Sequence, residues 1–208
     1  MKIKVCGMRE VENIRAIERL DIDWMGFIFY PPSPRYVPDA EAYAASIRLC
    51  AKAKVGVFVN AAVEEILEKT SRYRLDYVQL HGNESPGVCE ALQKQGCRVI
   101  KAFSIATADD LERTAAYETC VGYFLFDTKC DAYGGSGKRF DWSALDAYRG
   151  ETPFLLSGGI HPGCVRELLR FGHPKMAGID VNSGFETAPA LKDAARIETF
   201  IRQLKLDN

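Results

Sequence analysis

Eight short apolar runs, each followed by a helical stretch, constrain this chain more than any other feature in it. They begin near residues 3, 24, 54, 77, 98, 122, 153 and 177, so the steps between them are 21, 30, 23, 21, 24, 31 and 24 residues. Trp24 to Phe29, Lys54 to Val59 and Tyr123 to Phe126 are continuous or nearly so rather than alternating, which suits strands covered on both faces. Between the runs, apolar residues recur at helical spacing, as at Val11, Ile14, Ile17 and Leu20. Two strands joined through a helix lie parallel, because a crossover is needed to return the chain to the same sheet. Eight such units with short links fill 208 residues. They predict an α/β fold, one domain over 1–208, closed as a single (β/α)8 TIM barrel rather than left as an open sheet.

The spacing predicts helices over Asp39 to Ala51, after Asn60 as cap, over Pro86 to Gln95 and over Thr107 to Tyr117. Further helices are predicted from near Trp142 with Asp141 as cap, from Pro162 as first residue, and at the end of the chain through Leu191, Ile197, Ile201 and Leu204. Apolar residues make up 47% and charged ones 26%, with a net charge of −1. Lysine and arginine are spread along the chain, which leaves no nucleic-acid stripe and no membrane patch. Seven scattered cysteines, with no Cys-x-x-Cys and no histidine at zinc spacing, read as free thiols in a reducing cytoplasm, with no metal site. Met1 to Cys6 run straight into a strand pattern, so no signal peptide is expected. No apolar run approaches a membrane span. The pattern is compatible with a monomer or a homodimer.

In such a barrel the chemistry sits at the C-terminal ends of the strands. The pattern places Cys6, Arg35, Gln79, His81, Asp127, Gly158, Gly159, Asp180, Ser183 and Gly184 there. Three tasks suit these residue types. Ser157-Gly158-Gly159 and Asn182-Ser183-Gly184 close strands seven and eight, where glycine lets backbone N–H groups approach an anion, so a phosphate site is expected. Cys6 and Asp127 end strands one and six and can give and take protons across a substrate. Asp127 ends a buried strand, where its pKa can be raised by partial desolvation. A thiol of ordinary pKa about 8.5 needs a nearby cation to act as a base near neutrality. Cys6 is otherwise a small buried hydrophobe. Arg35 lies in a loop stiffened by Pro31, Pro32 and Pro34, and its guanidinium can grip a carboxylate through two parallel bonds. Asp180 can hold a substrate hydroxyl or serve as a structural acid. His81 can contact substrate or cap its strand. A glycine-rich loop at Gly134, Gly135 and Gly137 follows Asp127 and is suited to covering a ligand.

Taken together, these stretches resemble the phosphoribosylanthranilate isomerase family of tryptophan biosynthesis. The resemblance rests on Lys4-Val5-Cys6-Gly7-Met8, on Gly26-Phe27 through Ser33-Pro34-Arg35-Tyr36, and on Val55 to Asn60. It continues through Val78-Gln79-Leu80-His81-Gly82, Phe126-Asp127 to Trp142, Ser157-Gly158-Gly159 and Asp180 to Glu186, in order over the whole chain. It implies a cofactor-free Amadori rearrangement of an aminoaldose phosphate, with Cys6 as general base and Asp127 as general acid. It also implies Arg35 as the clamp on the anthranilate carboxylate, and the strand-seven and strand-eight loops as the phosphate site. The chain departs from the family at Cys164, where asparagine is usual, and at Ala190, where glycine is usual. Both departures read as distant from the rim. A histidine-pathway isomerase acting on a doubly phosphorylated substrate is the nearest rival, but it carries an acid at the position of Cys6. A barrel that binds a phosphate ligand without turnover is the other, and the joint presence of Cys6, Asp127 and Arg35 weighs against it.

Overall fold

A computed structural model describes residues 1–128 and 142–206. Eight parallel strands close on themselves in chain order. They are β1 (Lys2–Val5), β2 (Trp24–Ile28), β3 (Ala53–Phe58), β4 (Tyr77–Leu80), β5 (Val99–Ile105), β6 (Tyr123–Thr128), β7 (Phe154–Ser157) and β8 (Met176–Val181). The seam is the pairing of β1 with β8, in register from Lys2 opposite Gly178 to Val5 opposite Val181. The α-helices are α1 (Val11–Ile17), α2 (Glu41–Leu49), α3 (Val63–Tyr73), α4 (Pro86–Lys94), α5 (Val165–Arg170) and α6 (Ala194–Leu206). Their apolar stripes, such as Ile14 and Ile17, Ala44 and Ile47, and Ile197, Phe200, Ile201 and Leu204, are buried against the outward faces of the strands. A second, separate cluster fills the barrel itself: Trp24, Val55, Ile100, Ala102, Leu125 and Leu155, with Tyr77 and Tyr123 against it. Among the described residues no helix is long and apolar enough to cross a membrane.

Several local expectations are corrected. The segment after β5 is a 3-10 helix (Ala108–Tyr117), opened by a capping box between Thr107 and Asp110. A 3-10 turn (Ser143–Ala147) precedes β7, and another (Pro162–Cys164) precedes α5, with Pro162 in its first turn as expected. Asn60 does not cap α3, whose N-cap is Ala62. It is left-handed at φ 52°, and its Oδ1 accepts the Asn83 N–H at 2.7 Å. Leu191 belongs to no helix. It lies in a small antiparallel hairpin of β9 (Glu186–Ala188) and β10 (Leu191–Lys192) that the sequence pattern did not foretell. The glycine loop at 134–137 and the Asp141 cap lie outside the described residues.

Candidate active site

Side chains alternate along a strand, so the inward rows can be followed upward from the barrel core. The row through Trp24 reaches Gly26. The row through Tyr77 reaches Gln79 and His81, and the row through Leu125 reaches Asp127. Lys4 stands opposite Trp24 and Asp180 in the ladder, so it too faces in, and Cys6 lies two residues above it. The lower barrel is closed by rings, Trp24 packing on Tyr77 and Tyr123 at centroid separations of 4.6 and 5.2 Å. The upper barrel is polar.

Lys4 and Asp180 meet across the seam, Nζ to Oδ1 at 2.9 Å, at side-chain exposures of 0% and 6%. Burial alone would strip the Lys4 charge, but Asp180 and Cys6 outweigh it and hold the ammonium above its ordinary pKa. The thiol of Cys6 lies over Gly26, where an added Cβ would stand 2.7 Å from Sγ. Burial pushes that thiol up. The Lys4 ammonium pulls it down, Asp180 pushes it up and Lys192 lowers it, and the net shift is upward. The cations that a basic thiol requires are therefore Lys4 and Lys192. Burial raises the Asp180 carboxyl against the pull of Lys4.

Asp127 is half-buried at the mouth, with its Oδ2 3.6 Å from His81 Nε2. The other ring nitrogen of His81 meets Gln79 Nε2 at 2.9 Å, and the buried Gln79 Oε1 has no hydrogen-bond partner among the described residues. The loop carrying His81 is braced from outside the barrel. Glu84 accepts the N–H groups of Asn60 at 2.7 Å and Gly82 at 3.0 Å, and meets the buried Lys101 ammonium at 3.2 Å.

Arg35 crosses the loop after β1. Gly7 is left-handed at φ 76°, and a Cβ there would stand 2.6 Å from Arg35 Cδ, 2.8 Å from Asn182 Oδ1 and 3.3 Å from Lys192 Nζ. Glycine is required for this close approach. The guanidinium is forked by Glu186, Nε to Oε1 at 2.8 Å and Nη2 to Oε2 at 2.6 Å. Lys192 also pairs with Glu186 and donates to Asn182 Oδ1 at 2.8 Å.

The loops after β7 and β8 form one unit. Gly158 and Gly159 turn the chain after β7 at φ 89° and 65°. A Cβ on Gly184 would stand 2.3 Å from the Ile160 carbonyl oxygen, so the loops after β7 and β8 touch there. The departures at Cys164 and Ala190 turn out to border the site. Cys164 serves as a cap, its thiol accepting the His161 N–H and donating to the His161 carbonyl, so it sits directly behind the β7 loop. Ala190 turns the β9–β10 hairpin at φ 65°, where glycine is favoured, and its N–H donates to Glu186 at 3.1 Å.

The structure thus gathers Cys6, Gln79, His81, Asp127 and Asp180 on the inward rows at one mouth. It sets the Arg35 stem across the Gly7 backbone and brings the loop of Gly158 and Gly159 against the loop of Ser183 and Gly184 where Ile160 meets Gly184. Lys4, Lys192 and Glu186 were not foreseen as site residues. Lys4 had a usable signal, since it lies one strand period below Cys6 on the same inward row.

A family model described as PRAI, N-(5'-phosphoribosyl)anthranilate (PRA) isomerase, matches residues 3–203. The N-(5'-phosphoribosyl)anthranilate isomerase of Parabacteroides distasonis is 58% identical over 207 residues, covering 98% of this chain and 93% of that protein. The crystal structure of phosphoribosyl anthranilate isomerase from Thermotoga maritima superposes with a TM-score of 0.82 at 35% identity, over 99% of this chain and 98% of that one. A phosphoribosyl anthranilate isomerase solved in complex with reduced 1-(o-carboxyphenylamino)-1-deoxyribulose 5-phosphate superposes at 0.80 with 32% identity, over 99% and 98%.

Proposed function

The chain belongs to the N-(5'-phosphoribosyl)anthranilate isomerase family, and from that premise we infer which of its side chains carry the reaction. The enzyme converts N-(5'-phosphoribosyl)anthranilate to 1-(o-carboxyphenylamino)-1-deoxyribulose 5-phosphate, an aldose–ketose isomerisation in tryptophan biosynthesis. In our reading Asp127 protonates the furanose ring oxygen, and the ring opens to an iminium. Cys6, as its thiolate, removes the C2′ proton, and the resulting enolamine tautomerises to the ketone. The iminium brings a positive charge beside Cys6 at the step where the thiolate is needed, adding to Lys4 and Lys192. His81, held by Gln79, faces the acid. Asp180 is the group we assign to a sugar hydroxyl, alongside its bond to Lys4. Arg35 takes the aromatic carboxylate, and the paired loops at Gly158, Gly159, Ser183 and Gly184 take the phosphate.

The observation that carries this reading is that Cys6 and Asp127 end two inward rows at the same mouth of the barrel. Placement in the cytoplasm is supported by the free thiols at Cys6, Cys50, Cys89, Cys97, Cys120 and Cys164. We read residues 1–208 as one domain. Turnover of N-(5'-phosphoribosyl)anthranilate by Cys6→Ala and Asp127→Asn tests the assignment. Each loses about 10²–10⁴-fold in kcat on protein that retains its circular dichroism, the usual worth of a positioned acid or base. Activity within tenfold of the parent removes the substituted group from its role.

A further inference from the structure

A charged side chain interrupts an apolar row on the outer wall of the barrel. On the outward face of β5, Val99, Phe103 and Ile105 are buried among the apolar residues of the helix layer, and Lys101 stands on the same row with its side chain 2% exposed. Its ammonium meets Glu84 at 3.2 Å, and the Glu84 side chain is also 2% exposed. Burial pulls the Lys101 ammonium below its ordinary pKa, against the opposing pull of Glu84. Desolvation offsets much of the attraction in a buried pair, so the pair itself is a weak source of stability. It grips the backbone around His81. Lys101 Nζ donates to the Leu80 carbonyl at 3.2 Å and to the Gly82 carbonyl at 2.8 Å. Glu84 accepts the Gly82 N–H at 3.0 Å and the Asn60 N–H at 2.7 Å. The two peptide units that join His81 to the chain are therefore each held by one member of the pair. The unit before His81 is held through the Leu80 carbonyl, and the unit after it through the Gly82 N–H. The His81 N–H itself donates to the Phe58 carbonyl of β3 at 2.8 Å.

We propose that Glu84 and Lys101 are positioning residues for His81. They set the direction in which its side chain leaves the backbone, so that the imidazole faces the acid Asp127 across the mouth. This rests on the reading that His81 acts beside Asp127 in the reaction. His81 Nε2 lies 3.6 Å from Asp127 Oδ2, and the other ring nitrogen is met by Gln79 at 2.9 Å. Gln79 steadies the ring, but a ring is aimed only as well as the backbone that carries it. A residue at a strand tip can rock about the peptides on either side of it, and a displacement of about 1 Å at a reacting centre costs up to about 10²-fold in rate. Hydrogen bonds from ionised groups are shorter and stronger than neutral ones, and here burial keeps water from competing for them. Lys101 lies on the outward row of β5, so the pair acts through the backbone and not on substrate.

The test is a double-mutant cycle with N-(5'-phosphoribosyl)anthranilate as substrate, read per folded molecule. One arm is Glu84→Gln with Lys101→Met, which removes both charges together and leaves neither buried alone. The other arm is His81→Ala. The charge-free pair is expected to lose about tenfold or more in kcat while KM stays within about threefold, because carboxylate and phosphate are held by other loops. His81→Ala is expected to lower kcat about tenfold or more in the parent, and by less than about threefold in the charge-free background. A merely structural pair would lower the urea midpoint, leave kcat of the folded protein intact and leave the His81→Ala effect undiminished, and that outcome overturns the proposal. Should the charge-free pair fail to fold, Glu84→Asp keeps the charge but sets it back by one methylene. It is expected to show the same loss in kcat and the same shrunken His81→Ala effect, and kcat within about threefold of the parent overturns the proposal there as well. If His81→Ala lowers kcat and the pair variants do not, this proposal alone falls. If His81→Ala leaves kcat where it was in the parent, the reading of His81 falls and takes the proposal with it.

Discussion

The thiol of Cys6 shows why single residues at this mouth have to be read with their neighbours. Its burial works against ionisation, and the Lys4 ammonium is the largest opposing influence, ahead of the Asp180 carboxylate that pushes the other way. Lys4→Met alone would leave Asp180 buried and unpaired, so the informative variant is Lys4→Met with Asp180→Asn, which removes both charges and preserves volume. Because the Lys4 influence exceeds that of Asp180, the Cys6 pKa should move further up. The pH profile of iodoacetamide alkylation at Cys6, mapped by mass spectrometry, should shift to higher pH. A profile that stays in place would show that Lys4 does not tune the thiol. Cys6, Asp127 and Arg35 were legible in the sequence because strand tips and a proline-framed loop are positions that pattern alone can locate. Glu186 and Lys192 were not, and Lys4 was overlooked although it lies one strand period below Cys6 on the same row. An isolated charged residue normally reads as solvated, and only the closed seam and the hairpin bury these three.

Among the elements, the strands were the most readable. The expected starts at 3, 24, 54, 77, 98, 122, 153 and 177 fall within one residue of the observed Lys2, Trp24, Ala53, Tyr77, Val99, Tyr123, Phe154 and Met176. A run buried on both faces leaves a continuous apolar signal that ends sharply. The β9–β10 hairpin was missed because strands of three and two residues carry no period. The 3-10 geometry of Ala108–Tyr117 was missed because apolar spacing does not separate it from an α-helix. The loops after β7 and β8 were each legible as glycine turns, but their contact was not. That contact gives a prediction at this scale. In Gly184→Ala the new methyl would overlap the Ile160 carbonyl, and the neighbour is backbone, which cannot swing aside. The two loops must separate. Inhibition by inorganic phosphate should weaken by about tenfold or more, while a competitive inhibitor that carries only the aromatic carboxylate should be much less affected. Equal inhibition by phosphate before and after the change would place the anion elsewhere.

The whole barrel divides its tasks between its two ends, as barrels of this architecture do. The mouth holds the buried charges that chemistry needs. At the opposite end a polar clasp forms around Glu118. That carboxylate accepts the Tyr148 hydroxyl at 2.9 Å, the Thr152 N–H at 2.9 Å and the Thr152 hydroxyl at 2.6 Å, tying the segment before β6 to the segment before β7. Burial alone would raise the Glu118 carboxyl, but the bonds from Thr152 and Tyr148 outweigh it, so its folded pKa lies below the ordinary 4.5. A depressed carboxyl stabilises the fold at pH values above its unfolded pKa, and that stabilisation disappears as pH falls through the folded value. Glu118→Gln should therefore cost about 1.5–3 kcal/mol in urea unfolding at pH 7, the usual worth of hydrogen bonds to a charged group. The gap to the parent should narrow steadily once the pH drops below about 4.5. Turnover per folded molecule at pH 7 should be unchanged, because nothing in the clasp reaches the mouth. Cys6→Ala is expected to do the reverse, removing turnover while leaving the urea midpoint nearly in place. If Glu118→Gln lowered kcat as well as stability, or if its stability deficit were independent of pH, the clasp could not be a purely structural acid held charged by its bonds.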